Sequence, residues 1–305
     1  MLIAEETMRN RFSIVALLLF AYTAVALAQE STTSHDHPMS PPAPAAAAAD
    51  WAMQRVDRSP RHHEWVKVKS GDRTVSAFVV YPEVSSKATS VVVIHEIFGM
   101  STWVQMLTDE LAEAGYVAIA PDLLSGLGPH GGGTSDFVDG NAVGKAIRDL
   151  PPDQITADLN AVADYVAKLP AASGKVAVAG FCWGGGQSFR FATNRPGLAA
   201  AFVFYGSGPE SPEEIARIKG PVYGFYAGND ARIGATVPKT QEMMKAAGKA
   251  FEAVTYPGAG HGFMRAGDAP APPPEADQKT VESYAGNRKA RDAAWIRLKR
   301  LLKGL

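Results

Sequence analysis

The 305-residue chain has a single cysteine, Cys182, set among glycines in Gly180-Phe181-Cys182-Trp183-Gly184-Gly185-Gly186. The apolar run 175–179 leads straight into it, and a small-residue helix start follows. A nucleophile on a sharp strand-to-helix turn needs flanking glycines, because other side chains would collide with neighbouring backbone. Such a turn lifts the sulfur clear of the sheet and places it at a helix N-terminus, where free N–H groups and the dipole favour thiolate. The competing reading, a buried structural cysteine, leaves the strand–turn–helix context unexplained. Two later segments complete a set. Gly228-Asn229-Asp230 follows the apolar run 222–227, and Gly258-Ala259-Gly260-His261-Gly262-Phe263 follows the run 251–256. His261 would take the proton of the Cys182 thiol and return it to a leaving group, while Asp230 would fix the imidazole tautomer and stabilise its charged form. Each residue alone is a weak signal. All three in the order nucleophile, acid, base, each just beyond a strand, form a specific one.

Those residues require an alternating frame. Segments 65–69 and 74–81 flank Ser70-Gly71-Asp72-Arg73 and predict an antiparallel hairpin. Runs 90–94 and 116–120 are continuously apolar, as expected of strands buried on both faces, and 175–179, 200–205, 222–227 and 251–256 read as four further strands. Helical spacing marks residues 102–114, 152–168 and 288–303. In the last of these Ala294, Trp295, Leu298, Leu301 and Leu302 share a face, with Lys and Arg expected toward water. The alternation predicts an α/β fold, a mostly parallel sheet with helices on both faces and an N-terminal antiparallel hairpin.

Composition bounds the rest. With 46% hydrophobic and 20% charged residues the chain is ordinary globular material. A formal net charge of −1 provides no field for a polyphosphate partner, so nucleic-acid binding is not expected. One cysteine excludes an intrachain disulfide. Met8-Arg9-Asn10-Arg11 precedes the apolar stretch 12–28, which ends in Ala26-Leu27-Ala28. The stretch is short for a span of ~20 residues and closes on a small-x-small cleavage pattern. Residues 1–28 therefore read as a signal peptide cut after Ala28, with no membrane anchor left and a periplasmic or secreted product. The acidic residues before Met8 make Met1 and Met8 both candidate starts. Residues 29–50, rich in Pro and Ala, read as a disordered linker. In that linker His35-Asp36-His37 reads as solvated tail rather than a metal site. Residues 51–305 form the expected single domain. The loop from Gly128 to Asp136 lacks a Gly-Lys-Ser/Thr sequence, so it reads as a substrate-covering loop rather than a phosphate cradle. His62-His63 reads as a surface pair, and neither a metal nor a cofactor is expected.

Over residues 62–303 the sequence resembles the dienelactone hydrolases (carboxymethylenebutenolidases) of the α/β-hydrolase superfamily. The marks are His95-Glu96-Ile97-Phe98-Gly99, Pro121-Asp122-Leu123, Gly180-Phe181-Cys182-Trp183-Gly184-Gly185, Gly228-Asn229-Asp230 and Gly260-His261-Gly262-Phe263. The resemblance implies that Glu96 touches the resting thiol and releases it as thiolate when substrate displaces the carboxylate. It also implies an oxyanion hole from the backbone N–H groups of Ile97 and Trp183, as their positions after strands suit. Arg265 matches the arginine that holds the substrate carboxylate, whose shape fits a guanidinium fork. A second substrate-binding arginine has no match in residues 136–150, where Arg148 is displaced by a turn or more. Phe98, Trp183 and Tyr205 are expected to line an apolar pocket.

The resulting expectation is a monomeric, secreted cysteine hydrolase of lactone, enol or aryl esters acting through an acyl-enzyme on a small-molecule ester or lactone. A broader carboxylesterase or thioesterase on the same fold is the alternative, and a non-catalytic periplasmic binding protein is a third reading.

Overall fold

The computed structural model describes residues 45–267 and 269–305, with side chains described from Trp51 onward. The signal peptide and most of the linker expected above lie outside these residues. Strands β1 (His63–Ser70), β2 (Arg73–Val80), β3 (Ala88–Ile94), β4 (Val117–Asp122), β5 (Ala172–Phe181), β6 (Ala200–Phe204), β7 (Val222–Ala227) and β8 (Phe251–Tyr256) form one sheet in the order β1-β2-β4-β3-β5-β6-β7-β8. The helices are α1 (Ala45–Asp57), α2 (Thr102–Glu113), α3 (Gly140–Arg148), α4 (Pro152–Ala167), α5 (Trp183–Asn194), α6 (Pro212–Ala216), α7 (Ala231–Gly234), α8 (Val237–Ala246) and α9 (Gln278–Lys303).

The hairpin β1-β2 closes at Ser70 opposite Arg73, with Gly71 supplying the positive φ of 58°. β2 runs antiparallel to β4, and every pair from β4 through β8 is parallel. In a parallel sheet both faces must be covered, and the period of two sends neighbours to opposite sides. Val91 and Val93 of β3 join one core with Trp103, Leu107 and Leu111 of α2 and Ala294, Leu298 and Leu302 of α9. Val92 and Ile94 join the other, with Leu159 and Val162 of α4 and Phe189 of α5. The parallel strands all end at one rim, the place where open α/β sheets bind ligands.

Helix starts follow local capping chemistry. The Ser101 hydroxyl accepts from Val104 N–H at 3.4 Å and Asp277 accepts from Thr280 N–H at 2.7 Å, each occupying an otherwise unpaired donor. Pro152 opens α4 at a position where a missing N–H costs nothing.

Three sequence expectations need correction. Helix α1 begins at Ala45, so the end of the linker is helical; a run of alanines is the strongest intrinsic helix former. Helix α9 begins at Gln278 rather than 288, because Asp277 caps it and its polar first turns need no core. Two of its arginines face inward rather than to water. Arg291 meets Glu110 at 2.6 Å, and Arg297 donates to the carbonyl of Gly224 at 2.9 Å and to Glu252 at 3.0 Å. Each long side chain reaches a buried acceptor that periodicity cannot reveal. Helix α3 was also not anticipated, since glycines at 140 and 144 weaken its pattern. No helix among the described residues is long and apolar enough to cross a membrane.

Candidate active site

β5 ends at Phe181 and α5 begins at Trp183, leaving Cys182 alone on the turn with φ 55° and ψ −117°. A non-glycine residue at positive φ costs about 1–3 kcal/mol and persists only where surroundings over-determine it. Here the surroundings are backbone. A Cβ on Gly180 would sit 1.9 Å from the Gly184 carbonyl oxygen, and one on Gly184 would sit 2.4 Å from the carbonyls of Ile94 and His95. The two glycines let β3, β5 and α5 close on one another, and Cys182 N–H ties the turn to the Phe204 carbonyl at 3.0 Å.

The loop after β8 brings His261 to the same rim. Gly258 and Gly262 take φ 77° and 79°, and Gly260 N–H is held by Asn287 of α9 at 2.7 Å. The imidazole Nε2 lies 3.0 Å from Cys182 Sγ, and Nδ1 lies 2.5 Å from Asp230 Oδ2. Asp230, after β7, uses its other oxygen to cap α7 through Ile233 N–H at 3.3 Å, so the carboxylate is fixed from both ends. Burial pushes the His261 pKa down, but the hydrogen bonds and charges of Cys182 and Asp230 outweigh it and the net direction is up. The structure thus assembles Cys182, His261 and Asp230 into one hydrogen-bonded series across three strand ends.

Glu96 follows β3 and is buried, yet its oxygens do not bond the sulfur. Oε1 accepts from the Tyr205 hydroxyl at 3.3 Å and Oε2 faces Arg265 Nε at 3.3 Å. The expected contact with the resting thiol is therefore not made. A buried carboxylate is held by the guanidinium and phenol within reach, while the elbow aims Sγ at His261. Burial raises the carboxyl pKa, and the charges of Arg265 and His261 and the Tyr205 hydroxyl only partly offset it.

Arg265 sits on a 3-10 turn, Phe263–Ala266, with its side chain nearly half exposed and its guanidinium 5.3 Å from the Phe98 ring centroid. Phe98 is 43% exposed, so it forms a rim under Arg265 rather than a wall of an apolar pocket. Tyr205 does not line an open pocket either, being fully buried. Its ring packs edge-on against His261 at 5.1 Å and Phe263 at 5.2 Å, a support for the imidazole that strand patterning alone did not single out. Burial and Glu96 drive its phenol pKa well above the ordinary value. Trp183 is half-buried and stacks on His95 at 5.5 Å. Arg148 is exposed on α3, with its guanidinium lying along Gly144 on the side that also approaches Ile97.

Sequence reasoning missed what pins the Glu96 loop. Asp122, at the end of β4, accepts from Thr134 N–H at 2.7 Å and from the Thr134 hydroxyl at 2.8 Å, and that hydroxyl accepts from Met100 N–H at 3.0 Å. The Gly-rich loop thereby packs on Gly99, where a Cβ would meet Thr134 Oγ1 at 2.4 Å. Pro121-Asp122-Leu123 was a visible signal for Asp122; nothing marked Thr134.

A mostly parallel sheet with an antiparallel N-terminal hairpin, carrying a cysteine–histidine–aspartate series at its strand ends, is the α/β-hydrolase fold. Within that class, residues 75–305 match the family model of the dienelactone hydrolase family, and the chain belongs to that family of hydrolases. A Salmonella typhi protein named "Putative carboxymethylenebutenolidase" is 32% identical over 224 residues, covering 68% of this chain and 82% of that one. A protein of the same name from Saccharolobus solfataricus is 30% identical over 265 residues, covering 75% and 93%. The crystal structure of a "Putative Dienelactone Hydrolase" from Klebsiella pneumoniae superposes with a TM-score of 0.66 at 25% identity, covering 80% of this chain and 99% of that one. An esterase from Pyrobaculum calidifontis, 16% identical, shares the fold with a TM-score of 0.58 over 84% and 90%.

Proposed function

We propose that this hydrolase uses Cys182 as a nucleophile on carboxylic esters whose leaving groups are enols or phenols, through an acyl-enzyme. The carrying observation is the series Sγ to Nε2 at 3.0 Å and Nδ1 to Asp230 at 2.5 Å. His261 takes the thiol proton as sulfur bonds to the carbonyl carbon, and the oxygen gains the negative charge. The N–H groups of Ile97 and Trp183 would receive that charge, a role supported by their being free: the first finds no acceptor among the described residues, and the second opens α5, where no intrahelical acceptor exists. Collapse breaks the ester C–O bond, and His261 gives its proton to the departing oxygen. Water, losing a proton to His261, then cleaves the thioester and the sulfur recovers that proton. A thiolate leaves more readily than an alkoxide, so only leaving groups of comparable acidity let the first step go forward.

Glu96 and Arg265 support a substrate that carries its own carboxylate. Such a group would compete for the Arg265 guanidinium and displace Glu96 from it. A second reading, a broader esterase or thioesterase, is favoured by the same ion pair, because Glu96 already balances Arg265 and an uncharged ester could enter without displacing it. Rates on a carboxylated enol lactone and on a series of aryl acetates separate the two. Preference for the lactone supports the first reading, and indifference to the carboxylate supports the second. Turnover of p-nitrophenyl acetate that is equal in wild type, Cys182→Ala and Glu96→Gln would remove the mechanism altogether.

Export is proposed with it: the basic stretch at Met8 to Arg11, the apolar residues 12–28 and the Ala26-Leu27-Ala28 pattern support a periplasmic or secreted enzyme, and a monomer is the simplest working state. N-terminal sequencing of the mature protein, expected to begin at Gln29, tests the cleavage.

A further inference from the structure

His95 lies outside the triad, yet its ring is fully buried and bound to the peptide that matters most. Its Nδ1 is 2.8 Å from the carbonyl oxygen of Glu96. A carbonyl only accepts, so Nδ1 carries the proton and donates. The same oxygen accepts from Gly99 N–H at 3.1 Å. The Glu96 carbonyl and the Ile97 N–H belong to one planar, trans peptide unit, so fixing the oxygen fixes the opposite direction of the N–H. The other side of the His95 ring stacks within 14° of parallel on Trp183, whose N–H is the second oxyanion donor. Its Nε2 is buried and has no partner among the described residues.

We infer that His95 is a positioning residue for the oxyanion hole, orienting and polarising the Glu96–Ile97 peptide through its Nδ1–H tautomer while holding the start of α5 in place by stacking. Two donors on one carbonyl also polarise that peptide and strengthen Ile97 N–H as a donor. Burial holds the imidazole pKa below its ordinary value against the pull of Asp122, so the ring stays neutral and does not compete with His261 for protons.

The inference rests on Cys182 being the nucleophile. In His95→Phe, which keeps a ring against Trp183 and removes the donor, kcat for p-nitrophenyl acetate is expected to fall roughly 10- to 100-fold with KM little changed. The rate of Cys182 alkylation by iodoacetamide, a reaction with no oxyanion, stays at the wild-type value. His95→Asn, whose amide nitrogen can replace Nδ1, recovers most of the lost kcat. Independently of any variant, 15N-histidine NMR of the wild-type protein is expected to show His95 neutral with the proton on Nδ1 at pH 7. A wild-type kcat in His95→Phe, an equal loss in His95→Asn, a parallel fall in alkylation, or an Nε2–H tautomer would each overturn the inference. Failure of the underlying reading looks different: turnover would survive in Cys182→Ala, whatever His95 does.

Discussion

Arg265 holds its Nε 3.3 Å from Oε2 of Glu96, and the pair is lopsided: the carboxylate side chain is 3% exposed and the guanidinium side chain 45%. The charge buried more deeply is the one with less help from water. Because burial sets the folded pKa of Glu96 above its unfolded value, the folded state favours the protonated form. Below the ordinary carboxyl range both states are neutral and nothing is lost; as pH rises through the folded pKa, ionisation weakens folding. Glu96→Gln is therefore expected to be more stable than wild type at pH 7. The gap should close as pH falls toward 4, read from urea melts at the two pH values.

His261 shows linkage of the same sign from a different cause. Its pKa lies above the ordinary value because hydrogen bonds and charge from Cys182 and Asp230 exceed the cost of burial. The stability it adds is full below the ordinary histidine pKa and is lost as pH rises through the folded value. The base must be neutral, so the acid limb of kcat/KM for aryl esters is expected above 6.5. Asp230→Asn removes a raising contribution and should move that limb down while kcat falls by roughly 10³ to 10⁴.

Arg265 offers a test of substrate charge. Replacing it with methionine removes a charge-assisted contact worth about 1.5–3 kcal/mol. KM for a carboxylated ester is expected to rise roughly tenfold or more, and KM for p-nitrophenyl acetate to stay within about twofold. Equal effects on both substrates would assign Arg265 to structure.

The elbow predicts a packing cost without any lost group. Gly184→Ala would press a methyl group to 2.4 Å from two backbone carbonyls at the end of β3. Neither can yield as a side-chain tip would, so a loss of about 1–3 kcal/mol is expected together with lower activity. A thermal melt matching wild type would show that the three segments are less tightly joined than the geometry requires.

The sulfur, the imidazole and the acid were legible because each sits within five residues of a strand end, and the parallel sheet alone brings strand ends to one rim. The partner of Glu96 was not legible, since it depends on where the loop bearing Arg265 and the left-handed turn at Tyr205 place a guanidinium and a phenol. Strand positions were readable from apolar runs, whereas the inward turn of Arg291 and Arg297 was hidden by their type: a basic residue on a helix reads as solvated until its acceptor on another element is seen. Thr134 lies in a Gly-rich loop with no periodicity, and its hold on Asp122 and Met100 exists only in three dimensions.

The central claim concerns a covalent bond to sulfur, so the most direct measurement is mass spectrometry on enzyme quenched during p-nitrophenyl acetate turnover. The account predicts a single acetyl group on the peptide containing Cys182, absent in Cys182→Ala together with turnover. An acetyl group on a different residue, or undiminished turnover by the alanine variant, would contradict it.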